Sequence, residues 1–253
     1  MSAGAVAAFL LVAGLSAYVQ TLTGFAFGLL VMGAVGLTGI LPLPEAAVVV
    51  SVLTLVNAGQ MVAKGWSDIR RRELLVIIAA SLPMTIVGYA VLAHLAAGGI
   101  DGLRILLGVV ILVSALQLLK PPAKDKRPSG VPATLFFGAL SGLMGGLFST
   151  SGPPLVYHLY RQPLPMAAIR ETLVAVFALN ALLRLGMVAA AGDFPAVAYW
   201  PALLAIPAVI CGTTLARRLP PPLSPTAIRL AVFVLLCLSG LSLALPSLGK
   251  LLA

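Results

Sequence analysis

Charge is what this sequence is short of. Only 9% of its 253 residues are Asp, Glu, Lys or Arg, against 60% hydrophobic. Soluble domains carry roughly 25% charged residues. A chain with so few cannot cover a water-facing surface, so a soluble fold is excluded and lipid is the solvent that fits. Carboxylates are scarcest, 7 against 16 Lys and Arg, for a net charge of +9. In a soluble protein that surplus would suggest nucleic acid. Here the basic residues fall in short clusters between apolar runs, where membrane topology puts them, and no nucleic-acid partner is expected. The two cysteines, Cys211 and Cys237, each lie inside an apolar run, so neither a disulfide framework nor a Cys/His metal spacing is present. There is no HExxH, no Walker A and no strand-led GxGxxG. Ser149-Thr150-Ser151-Gly152 is not a GxSxG elbow. The sequence thus reads as no enzyme, with no cofactor and no metal. Its N-terminus lacks a basic n-region, and the first apolar stretch outruns a signal peptide, so a retained helix is expected there.

Long apolar runs are abundant, and mean hydropathy is +1.11. A spanning helix needs about 20 apolar residues. Runs of that kind fall at 5–40, 46–63, 74–95, 103–119, 131–160, 167–190, 197–216 and 226–246. The runs 5–40 and 131–160 are too long for one straight span. Each is interrupted by a polar, small-residue patch: Gln20-Thr21-Leu22-Thr23-Gly24 in the first, Ser149 through Pro154 in the second. Each long run reads as a helical hairpin or broken helix.

The strongly polar stretch from Leu119 to Gly130 divides the chain nearly in half, which prompts a search for a repeat. PLPEAA at Pro42–Ala47 returns as PLPMAA at Pro163–Ala168. Asn57, Pro83, Gly88, Arg104 and Ser114 then match Asn180, Pro207, Gly212, Arg229 and Ser239 at a nearly constant offset. The basic loops 64–72, 120–127 and 217–218, with a weaker pair at Arg161 and Arg170, mark one side of the membrane as cytoplasmic. Matching loops of the two halves then fall on opposite sides, so the repeats are inverted. Only Lys250 runs against this. The expected fold is an all-α integral membrane protein of about ten helical segments. Residues 1–119 form the first repeat, 120–130 a cytoplasmic basic linker and 131–253 the second repeat. Each repeat holds a broken-helix hairpin plus three transmembrane helices, and both termini lie outside.

Inverted repeats with paired broken helices are a recurrent transporter design. Helix N-termini freed at the breaks favour anions, and neither break carries a carboxylate. The expected guest is a small anion. Its candidate ligands are Gln20, Thr21, Thr23 and Gly24 in the first half and Ser149, Thr150, Ser151 and Gly152 in the second. The same small residues would also serve close helix packing. Arg184 lies deep in an apolar run, where a cation faces a cavity or a partner or else snorkels to the interface. Asn180 shares its helical face four residues earlier, and Asn57 is the first-half counterpart. Glu171 and His158 are candidate carriers of a coupled proton. A first-turn ion pair with Arg170, and a seat beside Tyr157 and Tyr160, are their structural alternatives.

Three stretches carry a family resemblance: QTLTGFAFGLL, GALSGLMGGLFSTSGPPLVYHLY and IRETLVAVFALNALLRL. With the repeat and the basic linker they resemble the TauE/SafE family of sulfite exporters and related permeases over nearly the whole chain. The resemblance implies export or exchange of sulfite, sulfoacetate or another organosulfonate at a bacterial cytoplasmic membrane. The competing expectation is a non-transporting membrane subunit or anchor for a partner protein, which leaves the repeat and its matched breaks unexplained. A cation or metal permease is disfavoured by the lack of midplane carboxylates and of Cys or Met clusters. A homo-oligomer is left open.

Overall fold

A computed structural model describes residues 3–98, 100–119, 128–192, 194, 196–221 and 224–252. The basic loop 120–127, used above to orient the chain, lies outside the described residues. Among those described there are ten α-helices and no strand. They are α1 (Ala3–Thr23), α2 (Phe27–Thr38), α3 (Leu43–Gly65), α4 (Arg71–Gly98), α5 (Ile100–Leu119), α6 (Val131–Phe148), α7 (Gly152–Tyr160), α8 (Met166–Ala191), α9 (Ala196–Arg218) and α10 (Pro225–Leu252). One 3-10 turn, Trp66–Asp68, follows α3. Six of the helices are long and apolar enough to cross a bilayer. Leu11, Leu75, Leu116, Trp200 and Leu238 stand exposed on the outside, which in water would be an aggregating surface and in lipid is the solvated one. The protein is a multi-pass membrane protein of the all-α class.

Both long apolar runs are broken. The first resumes as α2, only 12 residues, and the second as α7, only 9. At 1.5 Å per residue these are about 18 and 14 Å long, half the bilayer core. The first break differs in place from the polar patch. Gln20, Thr21 and Thr23 are still helical, because the two threonine hydroxyls bond back to the carbonyls of Ala17 and Val19 at 2.7 and 2.8 Å. The chain turns only at Gly24 and Ala26, with φ of 80° and 83°. In the second half Ser149, Thr150 and Ser151 are themselves the break.

Helix packing is close, and glycine makes it so. A Cβ on Gly142 of α6 would sit 2.6 Å from the Ser81 Cα of α4, and one on Gly146 2.6 Å from the Tyr89 amide nitrogen. With no water-driven collapse between helices in lipid, such backbone contact is the main source of cohesion. The helix pairs come in matched sets. α4 packs on α6 as α9 does on α1, α3 on α9 as α8 does on α4, and α2 on α10 as α7 does on α5, while α3–α8 and α5–α10 pair across the middle.

Gly142→Leu should therefore lower stability by about 1–3 kcal/mol through overpacking. Gly186→Leu, where an added Cβ meets nothing within 4 Å, should be close to neutral. Thermal unfolding in detergent, read by loss of monodisperse protein, checks the pair.

Candidate functional site

The two breaks abut. A Cβ on Gly28, in the first turn of α2, would lie 2.8 Å from the Ser149 carbonyl oxygen and 2.9 Å from the Thr150 methyl. Between them is a buried cavity of about 20 Å³, room for a water molecule. Gln20, Thr54, Ser149, Thr150, Ser151 and Gly152 line it with Ala26, Gly28, Leu29 and Phe177. The N-terminal ends of both half-helices thus meet in one cavity, Gly28 and Leu29 from α2, Ser151 and Gly152 from α7. The two ends differ chemically. α2 offers backbone N–H groups, whereas Pro153 and Pro154 in the first turn of α7 have none. The Thr150 hydroxyl is buried with no hydrogen-bond partner among the described residues.

Two amide clusters flank the cavity. Asn57 of α3 accepts from Gln20 Nε2 at 2.8 Å and donates to the hydroxyls of Thr213 and Thr21 at 2.7 and 3.3 Å. Gln20 Oε1 in turn accepts from the Phe27 amide at 3.1 Å, capping α2. On the other side Asn180 of α8 donates to Ser151 Oγ and accepts from Ser81 Oγ, both at 3.1 Å. Ser51 of α3 meets Ser149 across the chain halves at 2.7 Å.

Five sequence candidates therefore line the cavity: Gln20, Ser149, Thr150, Ser151 and Gly152. Asn57 and Asn180 hold those liners rather than lining it themselves. Thr23 bonds around the break, to the carbonyls of Val19 and Phe25. Gly24 is buried against Arg170. Arg184 is 1% exposed, so it does not snorkel. Its Nη1 donates to the Gly146 carbonyl near the carboxyl end of α6, where a cation offsets the helix dipole. Its guanidinium also lies over the Tyr89 ring, 5.4 Å from the centroid. It is outside the cavity lining, and no carboxylate pairs with it among the described residues. His158 pairs with Thr134 at 3.0 Å and stacks on Phe137, bracing α6 against α7.

Thr54 and Phe177 were missed, yet each lies three residues before the asparagine of its half, so the repeat alignment itself carried the signal. Ser51, Ser81 and Thr213 gave none, because an isolated hydroxyl in an apolar helix usually bonds its own backbone.

A second cavity, of about 380 Å³, opens where the basic loops gather. Lys64, Arg170 and Arg217 line it with Asp68 and Glu171, and Thr21, Leu22 and Met61 are also on its wall. Thr21 faces this vestibule and Gln20 the inner cavity, so the last turn of α1 is the partition between them. No group of three or more potential metal ligands gathers among the described residues.

Removing one amide should expose how much the clusters hold. Asn57→Ala takes the acceptor from the buried Gln20 Nε2, and Asn180→Ala takes a partner from both Ser81 and Ser151. Each should cost about 1–3 kcal/mol, read as a lowered unfolding temperature.

The chain is 36% identical over 236 residues to the "Probable sulfite/organosulfonate exporter TauE" of Cupriavidus necator, covering 93% of this chain and 92% of the relative. It is 36% identical over 107 residues, 41% of this chain and 45% of the relative, to the "Probable inner membrane transporter protein TsaS" of Comamonas testosteroni. No solved structure matches significantly. The family model for the sulfite exporter TauE/SafE matches residues 8–243, and the chain belongs to that family.

Proposed function

We propose that the protein is a secondary transporter that exports a small sulfur-containing anion, such as sulfite, sulfoacetate or another organosulfonate, across the bacterial cytoplasmic membrane. One observation carries this reading. Two half-helix N-termini, with their partial positive charge, meet in a single buried cavity that is rich in hydroxyls and free of carboxylates. The relatives' names supply the substrate class.

Alternating access supplies the mechanism. Residues 1–119 and 131–253 act as inverted repeats joined by the linker 120–130, and the matched helix pairings support that division. Two similar halves have two similar packings, one open to each side. The vestibule lies on the cytoplasmic side with the basic loops, and both termini lie outside. The inner cavity must widen to admit a polyatomic anion, and moving the partition at the end of α1 would widen it. Asn57 and Asn180 hold the cavity liners in register. Arg184 holds the carboxyl end of α6, keeping the second break in place. Among the candidate proton carriers, Glu171 borders a cavity, whereas the His158 side chain is engaged within the α6–α7 hairpin.

The direction needs no ATPase. A monovalent anion leaving a cell that is negative inside gains about 2.3 kcal/mol per 100 mV, worth about a 50-fold gradient at equilibrium.

The test is thermal unfolding of detergent-purified protein against sulfite, thiosulfate, sulfoacetate, taurine, sulfate, acetate and chloride. A true ligand at about 100 times its dissociation constant should add about 2.7 kcal/mol. Thr150→Val should weaken that ligand by about 2- to 10-fold, one hydrogen bond's worth. A flat panel together with no anion flux in liposomes would sink the reading in favour of a partner-binding membrane subunit.

A further inference from the structure

The vestibule holds an ion pair that is poorly made. Arg170 and Glu171, adjacent in the first turns of α8, meet through Arg170 Nε and Glu171 Oε1 at 3.3 Å. The forked, two-bond geometry that makes Arg–carboxylate pairs strong is not used. The other carboxylate oxygen, Glu171 Oε2, is buried with no hydrogen-bond partner among the described residues. The two side chains also differ in position. Arg170 is 37% exposed and Glu171 only 2%, so the guanidinium opens toward the cavity while the carboxylate sits behind it.

Backbone presses on this pair from two sides. A Cβ on Gly24 would lie 2.8 Å from Arg170 Cγ, and one on Gly65 2.6 Å from Glu171 Oε2. Gly24, at φ 80°, is the turning point of the first break. Arg170 therefore touches the turn that follows the partition between the vestibule and the inner cavity.

The remaining cations are placed differently. Arg217 is held by its bond to the Met61 carbonyl at 3.0 Å, whereas Lys64 is exposed and supplies field without a fixed contact. Three cations face two carboxylates in the vestibule, leaving it attractive to an anion.

We propose that the vestibule is a second anion site, with Arg170 as its ligand and Glu171 as the internal competitor that an arriving sulfonate or sulfite displaces. A sulfonate presents three equivalent oxygens and can take the fork that Glu171 leaves unused. The inference rests on the transporter reading above and adds to it an order of events: capture at Arg170, movement at Gly24, then entry to the inner cavity.

The experiment is initial-rate flux of sulfoacetate, with sulfite as a second probe, in liposomes holding the full chain. Arg170→Gln should raise KM by about tenfold or more, because the charged two-bond fork is lost, with the maximal rate within twofold. Glu171→Gln should lower KM several-fold, because the competitor is gone. Lys64→Gln should raise KM less, and that effect should vanish near 1 M salt, where the Debye length is about 3 Å. If Arg170→Gln does not fold, Arg170→Lys, which keeps the charge and loses the fork, should give an intermediate KM. An unchanged KM in a folded Arg170 variant overturns the proposal. So does complete loss of flux in folded Glu171→Gln, which would make Glu171 a required proton carrier. Absence of flux in the wild-type protein would instead overturn the transporter reading itself.

Discussion

A helix that stops inside a membrane leaves backbone N–H and C=O groups that lipid cannot satisfy, and most of what is distinctive here answers that constraint. The first break is closed by Gln20 Oε1 on the Phe27 amide, by the Gly24 amide on the Gln20 carbonyl and by the Tyr160 hydroxyl on the Thr23 carbonyl. The second is closed by the Ser149 amide on the Gly145 carbonyl, by Ser141 on the Ser151 carbonyl and by Arg184 on the Gly146 carbonyl. Each solution recruits a side chain from another element. The breaks are thereby pinned to the helices around them and against each other. The polar cavity is what remains where the two sets of helix ends, satisfied from outside, still face inward.

Arg184 shows how local chemistry can redirect an apparent ligand. A buried arginine without a carboxylate partner invites the idea of direct substrate contact. Its bond to the Gly146 carbonyl gives it a structural role, because the charge faces the helix end that the break created, while its Nε is buried with no partner among the described residues. Gln20 does comparable double duty, joining α2 to α3 through Phe27 and Asn57. Positions of this kind couple the geometry of a break to the packing of its neighbours.

Much of the fold was legible because lipid simplifies the code. Long apolar runs had to be spans, two were too long for one, and both proved broken. Half of the cavity lining was legible too, since polar residues at the interruptions had few other places to go. What failed was finer. Thr21 and Thr23 looked like a break and were helical, because a threonine hydroxyl can bond the carbonyl one turn back and leave the helix intact. Thr213 and Ser81 were silent, since their partners, Asn57 and Asn180, are far away in sequence. The vestibule pair was half legible. Adjacent Arg170 and Glu171 suggested a contact, but nothing in the residue order showed that one oxygen would be stranded.

The two prolines that open α7 give the scaffold a handedness that its repeat does not have. A guest between the half-helices would find amide donors on the α2 side, and on the α7 side hydroxyls with fewer backbone donors, because Pro153 and Pro154 supply none. Such a chamber distinguishes the front of a molecule from its back. It suits a solute with one oxygen-rich end and one plain end, entering in a single orientation, better than a sphere that looks the same from every direction.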